Sequence, residues 1–252
     1  MTNSIKIISK KEYKKVLEQS SKKLELPNQE IVWNDIAEPW KNYVVKKIPI
    51  IENFLNKVSL KSKDFKKSKN AEKCKIADIG CGTGRNMISS DKIEYYGVDF
   101  SEGQLVNAKR ICKEAGVNVN FFHSKASRLP KEFKDEMFDY GLFIATLHCI
   151  EGEKERLNAL KEFYRILKLN AEALISVWKS DDKRFDSVEN HGDVYMSWMY
   201  KGDSHMRYYY LYSKKELLDL LKKVGFKIME IYKPTLHDRF SKKNWIVRVK
   251  KI

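Results

Sequence analysis

Asp78-Ile79-Gly80-Cys81-Gly82-Thr83-Gly84 is the segment of this chain best suited to chemistry. A short apolar run ends in the acid, and three glycines then alternate with small residues, leaving backbone N–H groups open to a ligand. The G-x-G-x-G spacing departs from the dinucleotide fingerprint, whose third glycine falls one place later, where this chain has Arg85. Tyr95-Tyr96-Gly97-Val98-Asp99 reads as a second strand closing on a carboxylate. That acid lies about twenty residues past the first glycine, the distance at which a carboxylate reaches ribose hydroxyls. The pattern predicts a nucleoside ligand without a pyrophosphate. Asp78 either fixes the loop or reaches a ligand ammonium through water, and Phe100 packs either beside the nucleoside or in the core.

These residues need elements to place them. Strands are expected at 75–79, 94–99, 119–123, 138–144 and 172–178, with helices over 84–90, 101–116 and 153–168. Their alternation implies a parallel sheet with right-handed crossovers. Ligands of such sheets bind beyond the carboxyl ends of the strands. Asp78, Gly80, Gly82, Asp99, the 125–127 loop with Ala126 and Ser127, and the 145–148 segment with Ala145 and His148 all fall at that edge. An aromatic, polar insertion at 180–212 has no clear period. A helix then follows from Ser213, its N-cap, to a stop at Gly225. Segments 226–232 and 245–249 are expected to pair as antiparallel strands. Ahead of the sheet, 10–24 is a basic amphipathic helix, 28–60 carries two more helical patterns, and 61–70 is a charged loop. The chain thus divides into an extension over 1–70 and a main domain over 71–252.

The chain has 252 residues, 42% of them hydrophobic, and 49 Lys+Arg against 34 Asp+Glu give a formal net charge of +15. That excess favours polyanionic partners such as nucleic acid. A lysine-rich composition without function is the alternative. Cys74, Cys81, Cys112 and Cys149 show neither paired metal spacing nor disulfide density, so reduced thiols and no metal site are expected. No apolar run approaches the roughly 18 residues of a membrane span, and a cytoplasmic protein with no membrane partner is expected.

S-adenosylmethionine is the commonest ligand of the predicted kind, and a resemblance points the same way. The glycine segment, Gly97-Val98-Asp99-Phe100-Ser101, Ser127-Arg128-Leu129-Pro130, Phe138-Asp139-Tyr140-Gly141-Leu142-Phe143 and Ala145-Thr146-Leu147-His148 resemble the ordered motifs of class I S-adenosylmethionine methyltransferases. The resemblance implies an α/β, Rossmann-like fold: a seven-stranded, mostly parallel sheet with an antiparallel last strand, here with N-terminal helices and an insertion after strand five. It implies a cofactor set of Asp78, Gly80, Gly82, Gly84, Asp99, Phe100, Ala126, Ser127 and Ala145. A narrower resemblance, to the tRNA wobble-uridine carboxymethyl methyltransferases, spans nearly the whole chain. It rests on Trp33-Asn34-Asp35-Ile36-Ala37, Pro49-Ile50-Ile51-Glu52-Asn53-Phe54-Leu55, Ser176-Val177-Trp178, Asp193-Val194-Tyr195-Met196-Ser197-Trp198 and, most particular, Arg207-Tyr208-Tyr209-Tyr210-Leu211-Tyr212. Members methylate the carboxylate of 5-carboxymethyluridine in the anticodon region of tRNA. Eukaryotic members work with a small zinc-binding activator subunit. Three positions depart from the family pattern. Lys125 stands where an adenine-contacting Asp is usual, Leu169-Asn170-Ala171 replaces a Pro-Gly-Gly turn, and Val44 aligns with a usual arginine.

A carboxylate acceptor is ionised near pH 7 and needs no general base. Arg207 then becomes the candidate to grip the acceptor carboxylate or a phosphate, since its planar fork matches both. Tyr208 and Tyr209 either stack an extruded base or form a structural aromatic run. His148 either orients the base, accepts a proton from a hydroxyl nucleophile, or is a satisfied structural histidine. Lys10, Lys11, Lys14, Lys15, Lys22, Lys23 and the 61–69 loop are expected phosphate contacts. A small-molecule O- or N-methyltransferase and a noncatalytic binding module on the same fold are the competing readings.

Overall fold

The computed structural model describes residues 5–20, 25–43, 46–61, 73–188, 192–235 and 238–252. The chain opens with β1 (Ile7–Ser9) and the helices α1 (Lys10–Glu18), α2 (Gln29–Asp35), α3 (Ala37–Tyr43) and α4 (Pro49–Lys61). The alternating centre follows: β2 (Cys74–Ile79), β3 (Ile93–Asp99), α5 (Glu102–Glu114), β4 (Val119–His123), β5 (Phe138–Ile144), α6 (Glu153–Ile166) and β6 (Leu167–Trp178). Then come β7 (Gly192–Tyr200), β8 (Asp203–Leu211), α7 (Lys214–Val224), β9 (Phe226–Ile231), α8 (Arg239–Lys243) and β10 (Asn244–Lys251).

Seven strands form one sheet in the order β4-β3-β2-β5-β6-β10-β9. The first five run parallel, and β10 is antiparallel to both its neighbours, as the two closing strands were expected to pair. Strand alternation splits the core into two layers. Ala77, Phe143 and Ile175 face α6 and α7, whereas Ile76, Leu142 and Leu174 face α4 and α5. The α2–α3 corner is tied to α5 by polar bonds. Asn34 Oδ1 accepts from Ser101 Oγ at 2.8 Å and from Gly103 N at 3.1 Å, and Asn107 Nδ2 donates to the Ala37 carbonyl at 3.0 Å.

Four expectations differ. The helix over 84–90 does not form; the segment is turns and irregular chain. Polar partners hold its backbone away from a helical ladder, with Ile88 N donating to the Tyr95 hydroxyl and Ser89 Oγ donating to the Gly116 carbonyl. The patternless insertion is a β-hairpin, β7–β8, which pairs with β1 into a separate three-stranded sheet. Lys201 and Gly202 close it with φ of 51° and 88°, a left-handed two-residue turn that matches strand twist. Tyr195 and Tyr208 pack on one face and Met196 and Tyr209 on the other, so no apolar–polar alternation marks these strands. The N-terminal helix is shorter than expected, and 28–60 holds three helices rather than two. Lys22, Lys23, Val44 and, from residue 62 on, the expected basic loop lie outside the described residues.

Candidate active site

At the carboxyl edge of β2, β3 and β5 two clefts adjoin, sharing Gly80, Asp99, Phe100, Thr146 and Cys149 in their walls. The larger, about 380 Å³, is lined on its far side by Lys125, Ala126, Ser127 and Glu155. The smaller, about 120 Å³, lies against Gly82, Arg85, Asn86, Gln104, Ala145 and the rings of Trp33 and Trp40.

The three glycines do different jobs. Gly80 has φ +71°, and a Cβ there would strike the Thr146 side chain at 2.1 Å. Gly84 packs on α5, where a Cβ would meet Cys112 Sγ at 2.6 Å, and it lines neither cleft. Gly82 alone looks into open space, with nothing within 4 Å of a Cβ. Its N–H donates to Asp99 Oδ2 at 2.8 Å, and Ser101 N donates to Asp99 Oδ1 at 2.9 Å. Each carboxylate oxygen keeps a lone pair for a ligand hydroxyl.

Asp78 is fully buried beneath this turn, and neither carboxylate oxygen finds a hydrogen-bond partner among the described residues. Burial, then the neighbouring Asp99, pushes its carboxyl up to about 7, and Arg85 pulls the other way. Asp99 rises to about 6, chiefly through burial, against the two N–H groups it accepts. Trp33 Nε1, Asn86 Oδ1 and both amide atoms of Gln104 are likewise buried without partners among the described residues. A smooth turn, the cleft-lining Asp99 and the orphaned groups of Asn86, Gln104 and Trp33 form a cradle that suits a nucleoside bearing an amino acid tail, whereas Asp78 lies behind the turn and lines neither cleft. Asn86, Gln104, Trp33 and Trp40 complete the cradle, and no local spacing marks them; only their arrival in one wall does.

Arg207 of β8 is 3% exposed, and its guanidinium makes no hydrogen bond or ion pair among the described residues, its Nε being buried without a partner there. Its guanidinium carbon lies 4.9 Å from the Trp198 ring, 5.3 Å from Trp40 and 5.4 Å from Tyr209. Trp40 lines the smaller cleft, whereas Arg207 lines neither cleft and lies behind that ring.

Tyr208 points to the opposite face of the hairpin. Its ring is fully buried, its hydroxyl donates to Asp193, and Arg156 Nη1 donates to it at 2.9 Å. Tyr209 is buried on the Trp178 ring at 4.1 Å, so neither tyrosine presents a free face to a base. His148 lies in the same stack, 5.0 Å from Trp178, with Nδ1 accepting the Trp178 N–H at 3.3 Å. Burial lowers its pKa to about 3, and it lines neither cleft. The structure favours the structural reading of both His148 and Tyr208. Among the described residues no group of His, Cys, Asp and Glu is arranged to hold a metal.

Residues 76–170 match a methyltransferase domain. A protein of Encephalitozoon cuniculi named as a methyltransferase is 30% identical over 160 residues, which cover 62% of this chain and 71% of the relative. The chain belongs to the class I S-adenosylmethionine-dependent methyltransferases. A second methyltransferase relative, the tRNA (carboxymethyluridine(34)-5-O)-methyltransferase of Schizosaccharomyces pombe, is 26% identical over 243 residues, 87% of this chain and 94% of that protein. The methyltransferase fold is shared with a solved S-adenosylmethionine-dependent enzyme of Methanosarcina mazei, at TM-score 0.58 and 24% identity over 72% of this chain and 93% of the other. S-adenosylmethionine is thus the cofactor of this methyltransferase, and the cradle fits it.

Proposed function

We propose that this methyltransferase acts on tRNA and esterifies the carboxylate of a 5-carboxymethyl-type wobble uridine. The observation that carries the reading is Arg207, a buried cation with no carboxylate of its own among the described residues, held among aromatic rings directly behind Trp40 of the smaller cleft. A buried charge left unpaired is costly, and an acceptor carboxylate would relieve it. The S. pombe relative, similar over most of both chains, is named for this reaction.

Bound S-adenosylmethionine supplies a methyl group on a sulfonium. Asp99 would accept the ribose hydroxyls, Phe100, Ala126 and Ser127 would border the nucleoside, and Gly80, Gly82 and Ala145 would let it lie close to backbone. Gln104, Asn86 and Asp78 are suited to the carboxylate and ammonium of the tail, Asp78 through water. The chain's remaining task is positional, because the acceptor oxygen is already ionised. Arg207 orients the carboxylate, and Trp40 and Trp198 keep water from it. No side chain need remove a proton, which agrees with a His148 that stays neutral and buried. The zinc-binding activator of the resembled family fits the same reading. Among the described residues β4 is an unpaired sheet edge carrying the half-buried Phe121 and Phe122, a surface that a partner strand could extend.

Nucleoside mass spectrometry of tRNA from cells with and without this chain, followed by in vitro methylation of the altered species, tests the assignment. Arg207→Ala is expected to abolish ester formation while S-adenosylhomocysteine still binds. Unchanged wobble nucleosides, or efficient methylation of a small acid with no tRNA present, would refute it.

A further inference from the structure

Beyond the reacting base, the cleft wall continues to the surface as a chain of aromatic rings. Trp33 meets Trp40 edge-on at 5.0 Å, and Trp40, Tyr43 and Trp198 contact one another at 5.3 to 5.4 Å in a closed triangle. Trp40 and Tyr43 share a face of α3 through their i, i+3 spacing, whereas Trp198 arrives from β7. A cluster built only for packing would end in buried rings. This one ends in Tyr43, 64% exposed, with Trp198 and Trp40 half-buried beside it. The Arg207 guanidinium lies against the Trp40 and Trp198 rings, exposed Lys46 and Lys47 follow Tyr43 in the chain, and the exposed Glu38 of α3 is paired with Lys41.

We propose that Trp40, Tyr43 and Trp198 form a stacking platform for an unpaired nucleobase next to the one that receives the methyl group. The proposal rests on the RNA reading above and adds to it a second base contact. Aromatic faces among cations are the general solution for binding single strands, because every base has a π-face and every linkage a negative charge. A protein partner would find here only a small aromatic patch. A single-stranded loop finds a ring to stack on and cations for the flanking phosphates.

The test uses the full chain saturated with S-adenosylhomocysteine and a fluorescent seven-nucleotide single strand of anticodon-loop sequence, read by anisotropy. Tyr43→Ala is expected to weaken binding roughly 5- to 100-fold and Tyr43→Phe to leave it intact, with cofactor affinity by calorimetry unchanged in both. Replacing a base beside the central uridine by an abasic site should cost the wild type a similar factor, and cost Tyr43→Ala nothing further. Strand binding equal to wild type in Tyr43→Ala, or abasic and Tyr43→Ala losses that simply multiply, overturns the platform and leaves the tRNA assignment standing. Wild-type protein that binds no single strand or tRNA at all overturns both. Trp198→Phe, which keeps a ring in the triangle, should bind within a few-fold of wild type; a loss as large as that of Tyr43→Ala without a matching loss of cofactor affinity places the contact on the indole and overturns the role of Tyr43.

Discussion

Asp78 and Asp99 lie close together under the same turn, yet their environments give them different tasks. Asp99 accepts two backbone N–H groups and faces the clefts, whereas Asp78 is buried with both oxygens unpartnered among the described residues. Replacing Asp99 by Asn should weaken S-adenosylmethionine binding by about 1.5–3 kcal/mol, read by calorimetry, because a charge-assisted acceptor is lost. Asp78 carries a pH signature. Its carboxyl sits near 7 in the folded protein against about 3.8 in an unfolded chain, so the folded state holds a proton that the unfolded state has released. Stability of the free protein should therefore fall as pH rises from about 4 to 7, and Asp78→Asn should flatten that part of a Tm-against-pH curve. The same variant should bind cofactor less tightly, since the negative charge is what an ammonium requires. A destabilising buried charge retained at a binding site is the usual trade of stability for function.

The glycine turn between β2 and β3 divides its work between fit and access. Gly80→Ala places a methyl group inside the Thr146 side chain at a positive φ, and should lower Tm severely or prevent folding. Gly82→Ala meets no neighbour and carries only the left-handed penalty, about 1–2 kcal/mol, so it should fold and yet bind cofactor poorly. Circular dichroism melts paired with calorimetry separate these outcomes. The α2–α3 corner is positioned by Asn34, whose side-chain oxygen accepts from both Ser101 and Gly103 at the start of α5. Asn34→Ala should cost about 1–2 kcal/mol in urea unfolding and displace Trp33 and Trp40 from the cleft wall. The hairpin depends on a buried network instead. Tyr208, Asp193 and Arg156 bond to one another while Lys10 reaches Glu151 at 2.6 Å, which ties the N-terminal strand and helix over the site.

The whole molecule carries a formal net charge of +15, and α1 displays Lys11, Lys14 and Lys15 to solvent. If about six phosphates are neutralised on binding, the logarithm of tRNA affinity should fall with the logarithm of salt at a slope of about −4 to −5. Each Lys→Gln change on α1 should reduce that slope by about 1 without altering which nucleoside is modified. An absent slope would make the charge a matter of composition. The basic helix lies on the same small sheet as the Arg207 hairpin, because β1 pairs with β7 and Tyr13 packs on Tyr195 at 4.9 Å. Phosphate contact and acceptor grip would then act on one rigid unit.

The glycine turn, the strand ending at Asp99, the succession of strands along the chain and the caps at Ser101 and Ser213 were legible because each depends on neighbours a few residues away, where spacing maps directly onto geometry. The helix expected at 84–90 was not, since the Ile88 N–H goes to the Tyr95 hydroxyl and the Ser89 hydroxyl to the Gly116 carbonyl across the fold. Nor was the hairpin, whose strands bury both faces and so lose the alternation that announces a strand. The arginine-tyrosine segment shows the limit most sharply. Successive strand residues point to opposite faces, so Arg207 and Tyr209 enter the aromatic wall while Tyr208 turns into the Asp193–Arg156 network. His148, placed by chain order at a reactive edge, is folded under Trp178 and stays neutral. Local order sufficed for the glycine turn and Asp99, while Trp33, Trp40 and Gln104 reach the same cleft only through packing of α2, α3 and α5. The acceptor wall joins Trp40, Trp198 and Arg207 across more than 150 residues of chain, and only packing of the hairpin on the α2–α3 corner brings them together.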